Sequence, residues 1–268
     1  MIKYNFRAFY PLILGIILWT IKPPSGLDEK AYIMFIVFTS TILSILIKAI
    51  PMSTSVLTGL LLSIITNLLS LKEALIGFGD STTWLVVIAF LIAGVIIDTG
   101  LGKRIALICI AVLGKTVIGL GYAICASELI LGPLVPSNTA RGGGIIAPIV
   151  DSISRSLGSE PQKKPGLAGE YLHLVGAHAN LITAAMFLTG MAANPIISKT
   201  ALEVYGIEFD WATWFLGSVI PGLVGLVGLP IFLKYYSKTT IECIDNVRED
   251  INLRIKELGP WSFREVAM

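Results

Sequence analysis

Long apolar stretches, almost free of charge, constrain this chain more than any other feature. A helix crossing the hydrocarbon core of a bilayer needs about 20 mainly apolar residues, with about 17 as a working minimum. Stretches 31–50, 52–69, 81–98, 171–198 and 211–233 reach that length, and their only charges, Lys48 and Asp98, stand at or near span ends. A sixth, shorter run, 8–21, follows Lys3 and Arg7 in the manner of a signal peptide. It is followed by Lys22-Pro23-Pro24 instead of a small-x-small cleavage site, so it is read as an uncleaved first span. Composition agrees: 54% of residues are apolar, only 14% are charged, and the mean hydropathy is +0.81. The expected fold is an all-α polytopic membrane protein with six transmembrane helices.

Region 117–156 does not read as an ordinary span. It is apolar but interrupted by Glu128, Pro133, Pro136, Arg141, a glycine run at 142–144 and Pro148. Non-helical backbone at membrane depth is tolerated only where it is buried in protein or lines a cavity. The pattern therefore predicts a re-entrant helical hairpin with a polar tip. With the N-terminus inside, 15 of the 20 Lys and Arg residues fall in inside segments and 4 outside, with Arg141 at the tip. That asymmetry predicts cytoplasmic N- and C-termini. A membrane domain is expected over 1–236, a polar link carrying Pro161 and Pro165 before the fifth span, and a charged, partly helical cytoplasmic tail over 237–268.

A formal charge of +2 gives no reason to expect nucleic acid as a partner. Cys109, Cys125 and Cys243 are odd in number and widely spaced, which fits packing residues and neither a disulfide framework nor a zinc site. His173 and His178 lie five apart, off the spacing of a helical metal pair. The chain contains no HExxH and no GxSxG, and its spans hold no paired carboxylates, so no enzymatic activity and no resident cofactor are expected. Gly222, Gly225 and Gly228 are read as helix-packing positions.

The chemistry concentrates in Leu131-Gly132-Pro133-Leu134-Val135-Pro136-Ser137-Asn138-Thr139-Ala140-Arg141-Gly142-Gly143-Gly144. Two prolines end one helix, and Ser, Asn and Thr are residue types that cap the start of the next. A helix beginning there directs its positive dipole end and free N–H groups at the tip, which suits a carboxylate. The hydroxyl of Thr139 and the amide of Asn138 add further donors. A plain helix–loop–helix turn with self-satisfied caps is the other reading of the same residues. A second break is expected at Thr189-Gly190-Met191-Ala192-Ala193-Asn194-Pro195, inside an uncharged run long enough to span around an unwound centre. Glu128 and Arg141 flank the tip as potential charge partners.

Pro136-Ser137-Asn138-Thr139-Ala140-Arg141, the glycine cluster after it and the Thr189-Gly190…Asn194-Pro195 break together resemble the divalent anion/sodium symporter family. Within it the chain is most similar to the citrate, succinate and 2-oxoglutarate/malate translocators. Gly77-Phe78-Gly79-Asp80-Ser81-Thr82-Thr83-Trp84-Leu85 and Gly100-Leu101-Gly102-Lys103-Arg104-Ile105-Ala106-Leu107 are weaker echoes. The resemblance implies the first repeat of an inverted-repeat secondary transporter in the cell (inner) membrane, moving dicarboxylates by anion exchange or sodium symport. It implies substrate contacts from Ser137, Asn138 and Thr139, and a Na⁺ site drawing on Ser137, Asn138, Gly190 and Asn194. Pro133 stands where some members carry a sodium-binding serine. Partners implied are a second repeat or separate C-terminal half and a second copy in a homodimer. No second Ser-Asn-Thr occurs here, and Leu258-Gly259-Pro260-Trp261-Ser262-Phe263-Arg264-Glu265 resembles the linker between repeats. The chain is accordingly expected to be an N-terminal half, or else a truncated or split product that is inactive alone or serves as an assembly subunit.

Overall fold

A computed structural model of the chain describes residues 6–160, 163–164, 166–241 and 245–267. Lys3, Pro161, Pro165 and Cys243, which figure in the expectations above, lie outside the described residues. Among the described residues every regular element is helical. The chain divides into two compact units, 1–83 and 84–268.

The first unit holds α1 (Phe9–Thr20), α2 (Glu29–Leu46), α3 (Met52–Ile65) and the short α4 (Leu71–Leu75). α1 packs on α2 and α2 on α3. The Tyr32 hydroxyl donates to the Leu18 carbonyl at 2.9 Å. Ser44 and Ser55 share a buried hydrogen bond of 2.9 Å between α2 and α3. Gly59 lets α3 come so close to Thr41 that a Cβ there would collide with the threonine side chain.

Two expected spans are shorter than read from hydropathy. The helix expected over 31–50 ends at Leu46, and that expected over 52–69 ends at Ile65. Both close on a left-handed residue that is not glycine, Lys48 at φ 51° and Asn67 at φ 56°. In each, the next amide reaches back over the last turn: Ala49 donates to the Ser44 carbonyl and Leu68 to the Ser63 carbonyl, both at 2.9 Å. The residues beyond, Ala49-Ile50 and Leu68-Leu69, stay apolar after the backbone has reversed, so composition carries no mark of the end.

The second unit contains α5 (Ser81–Thr99), α6 (Leu101–Leu113), α7 (Val117–Leu131), α8 (Ala147–Ser156), α9 (Gly169–Met186), α10 (Ala193–Tyr205), α11 (Trp211–Ser237), α12 (Asp245–Glu257) and α13 (Phe263–Val266). α9 is its centre, packed against α7, α8 and α11. Val117, Leu120, Tyr171, Leu172 and Val175 are fully buried at this junction. The span expected over 171–198 is two helices, α9 and α10, separated by residues 187–192. Region 117–156, expected as a re-entrant hairpin, is a helix–break–helix, α7 and then α8 preceded by a π-helical turn over Ala140–Ile146. α6 is a helix in its own right, not distinguished in the sequence from the region leading into the hairpin.

Glu29–Leu46, Ser81–Thr99 and Trp211–Ser237 are long and apolar enough to cross a membrane. α5 buries only Ala93 and Ile96 of its 19 residues, leaving Leu85, Ile88, Phe90 and Leu91 exposed. A surface that apolar is suited to lipid and not to water.

Candidate functional site

The first break is built by proline and capped by serine. α7 stops at Leu131, and Gly132 still donates to the Glu128 carbonyl at 2.8 Å before Pro133 ends the ladder. Ser137 then caps the new helix. Its hydroxyl accepts the Ala140 N–H at 3.2 Å and its carbonyl accepts the Arg141 N–H at 2.9 Å. The helix begins at Asn138 and widens into the π turn, a local expansion that tends to occur at functional positions. Gly142 sits where a Cβ would stand 3.1 Å from the Asn180 side chain, whereas Gly143 and Gly144 face open space.

Asn138 and Thr139 line a cavity of about 570 Å³ with Gly142, Gly143, His173, Gly176 and Asn180. Among the described residues the side chains of Asn138 and Thr139 make no hydrogen bond, and both residues line the cavity. The backbone N–H groups of Asn138 and Thr139 open the helix and have no partner within it. His173 Nδ1 lies 2.8 Å from the Gly169 carbonyl. A carbonyl can only accept, so this nitrogen carries the proton.

The second break strands the last carbonyls of α9, and side chains from the next two helices cap them. Asn194, only 1% exposed, donates its amide nitrogen to the carbonyls of Ala184 at 2.7 Å and Phe187 at 2.8 Å. The Trp214 indole donates to Ala185 at 2.9 Å, and the Ser218 hydroxyl to Met186 at 2.6 Å. A broken helix can persist in an apolar setting when freed carbonyls receive fixed donors, as those of Ala184, Ala185, Met186 and Phe187 do here.

Between the two breaks lies a buried ionic cluster. Arg141 and Glu128 are both 0% exposed, and Nε of the arginine donates to Oε2 of the glutamate at 2.6 Å. The same guanidinium donates to the Val135 carbonyl at 2.8 Å and the Thr183 hydroxyl at 3.2 Å, with longer contacts to the Gly190 carbonyl at 3.4 Å and the Asn180 carbonyl at 3.5 Å. Asn180 donates to both Glu128 oxygens, at 3.1 and 3.2 Å, and to the Asn138 carbonyl at 3.1 Å. Thr183 donates to Glu128 at 3.1 Å. Asn180 and Thr183 escaped the sequence reading. Their three-residue spacing places them on one face of α9, but only the presence of buried charge opposite marks that face.

These features define a multi-pass helical membrane protein whose two broken helices meet around a buried charge pair beside an open cavity. The chain belongs to the family described as the sodium:sulfate symporter transmembrane region, whose model matches residues 3–268. It is 41% identical to the "Putative malate transporter YflS" of Bacillus subtilis (strain 168), over 99% of this chain and 57% of that protein. It is 33% identical to "Dicarboxylate transporter 1, chloroplastic" of Arabidopsis thaliana, over 100% of this chain and 49% of that protein. A third relative, the "L-tartrate/succinate antiporter" of Shigella boydii serotype 4 (strain Sb227), is 32% identical over 98% of this chain and 58% of its own length. The chain thus spans about half the length of the curated relatives it matches.

Proposed function

We propose that this chain contributes the first substrate-binding tip of a secondary transporter for small dicarboxylates, with α7, the break and α8 acting as a re-entrant hairpin from the cytoplasmic side. The observation that carries the reading is the state of the tip. The Ser137 hydroxyl accepts the capping N–H and keeps its own proton to donate, while Asn138 and Thr139, whose side chains make no hydrogen bond among the described residues, line a cavity at a helix N-terminus. One carboxylate of a dianion fits there, held by the Asn138 amide, the Thr139 hydroxyl and the first free N–H groups. The cavity volume lies within the range usual for small-molecule sites, about 300–1,000 Å³. The names of the relatives support dicarboxylates as the substrate class, and their greater length supports a second half as a partner. Cargo that is carried, not transformed, needs no nucleophile at this position.

The test is binding and uptake of radiolabelled malate and 2-oxoglutarate by the purified chain, in detergent and in proteoliposomes. Saturable malate binding that falls at least tenfold in Asn138→Ala and Thr139→Ala is expected. Equal binding by wild type and both variants would remove the tip from the substrate site.

A further inference from the structure

A second cavity, of about 290 Å³, lies at the end of α5, with Ile97, Gly100, Lys103, Gly144, Ile145 and Arg254 in its wall. It shares the π turn with the cavity at the tip: Gly142 and Gly143 line the one, Gly144 and Ile145 the other. Two cations from distant parts of the chain meet in it, Lys103 on α6 and Arg254 on α12, and among the described residues no carboxylate lines it.

Arg254 stands on the inward face of α12. Ile251 is 1% exposed, and Ile255 and Leu258 pack against the core. Residues three and four apart share a helix face, so Arg254 belongs to the face that α12 lays on α6 and α8. Lys256 and Glu257 take the exposed positions. The end of α12 is fixed at α6, because Arg104 donates to the Leu258 carbonyl at 3.1 Å. Lys103 is exposed and has no ion-pair partner among the described residues. Two like charges held at one small cavity repel, and an anion between them turns that repulsion into attraction. The backbone adds to it. Gly100 is the N-cap of α6, at φ 78° and with no side chain to offer, so the first N–H groups of α6 are uncapped beside the cavity.

We infer that this cavity binds the phosphate group of an anionic lipid at the inner face of the membrane, held by Lys103 and Arg254, and that the bound group clamps α12 to α6. A guanidinium fork and a compact ammonium together suit a phosphate, which offers acceptor oxygens in several directions. Lipid as the source follows from α5, whose exposed apolar surface runs down to Ile97 and gives an acyl chain a path to the cavity. The Lys and Arg asymmetry of the sequence assigns both cations to the inner side, where basic pockets between helices receive anionic headgroups. The site is separate from the tip and does not depend on what the tip binds.

The experiment is thermal unfolding and hydrogen exchange of the purified, delipidated chain in detergent, titrated with phosphatidylglycerol, with phosphatidylcholine and with inorganic phosphate. Phosphatidylglycerol is expected to raise the midpoint saturably and to slow exchange over 100–107 and 251–258, and phosphatidylcholine to do neither. Lys103→Gln and Arg254→Gln should each weaken the phosphatidylglycerol effect about tenfold, the loss of one charged hydrogen bond. Lys256→Gln, the same change of charge on the exposed side of α12, should leave it intact. Inorganic phosphate giving the same protection, with the same dependence on Lys103 and Arg254, would uphold the phosphate site and overturn lipid as its source. No protection of wild type by either phosphatidylglycerol or phosphate, or an equal loss in all three variants, would overturn the site. The comparison of ligands on wild type needs no variant, so a substitution that fails to fold leaves the test intact.

Discussion

Arg104 on α6 and Glu265 in α13 meet at 2.6 Å across 161 positions of sequence. The guanidinium also donates to the tail's backbone carbonyls, those of Gly259 at 3.0 Å, Leu258 at 3.1 Å and Pro260 at 3.4 Å. Trp261 lies against it, ring centroid 5.0 Å from the guanidinium carbon. One arginine therefore latches the chain after α12 onto α6, while Ser262 and Glu265 close a capping box that shapes α13.

This latch has a defined pH sense. The hydrogen bond from Arg104, followed by that from the Ser262 backbone, holds the Glu265 carboxyl below its ordinary value of 4.5. A carboxyl depressed in the folded state stabilises it above the unfolded value and loses that contribution as pH falls through the folded value. The tail should therefore stay protected from limited proteolysis from pH 8 down to 5 and become labile only below about 4.5. Arg104→Ala should expose residues 258–265 to cleavage several-fold faster at every pH in that range.

Glycine 190 should tolerate no side chain. A Cβ there would stand 2.7 Å from the Ala184 carbonyl oxygen and 3.0 Å from those of Phe187 and Thr183, all backbone atoms that cannot rotate away. Overpacking of this kind costs about 1–3 kcal/mol. Gly190→Ala is expected to lower the thermal midpoint in detergent by several degrees, whereas Gly143→Ala, which meets open space, should leave it unchanged or slightly raised.

Asn194 and Ser218 test the accounting of carbonyls at the second break. Asn194→Leu removes the donor shared by Ala184 and Phe187; Phe187 keeps the Gly190 N–H at 2.8 Å, and Ala184 is left buried without its cap. An unsatisfied buried carbonyl costs about 1–3 kcal/mol. Ser218→Ala uncaps Met186 in a less buried setting. Both variants should unfold at lower temperature, Asn194→Leu the more so, and hydrogen exchange should rise over 184–192 ahead of the rest of α9.

Local chemistry was legible where it acts within a few residues. Pro133 and Pro136 mark the end of α7, and Ser137 marks the cap of the next helix, because both effects depend on one residue and its immediate neighbours. The break at 187–192 is carried in the same way by Gly190 and Asn194-Pro195. Helix ends at Lys48 and Asn67 were not legible, because hydropathy averages across a turn flanked by apolar residues and because lysine, unlike asparagine, seldom takes a positive φ. Partners of long separation were hidden for a different reason. Nothing near Arg104 announces Glu265, and nothing near Asn180 announces Glu128; each pair exists only once its two helices have packed.

The Glu128–Arg141 pair makes the sharpest prediction because both charges are fully buried. Taking either out of water is expensive, and their attraction offsets this only while the geometry and the additional hydrogen bonds from Asn180 and Thr183 hold. Removing one partner leaves the other charge stranded, which costs about 3–5 kcal/mol. Glu128→Ala should therefore strongly destabilise the chain. Removing both charges together leaves no stranded ion, so Glu128→Gln/Arg141→Gln should lose less than the sum of the two single glutamine variants. A double-mutant cycle on thermal or denaturant unfolding measures that difference. A coupling of about 2 kcal/mol or more is expected for a pair in direct contact within one network. Strict additivity would mean that the two residues reach their places independently, and that the tip is held by its backbone alone.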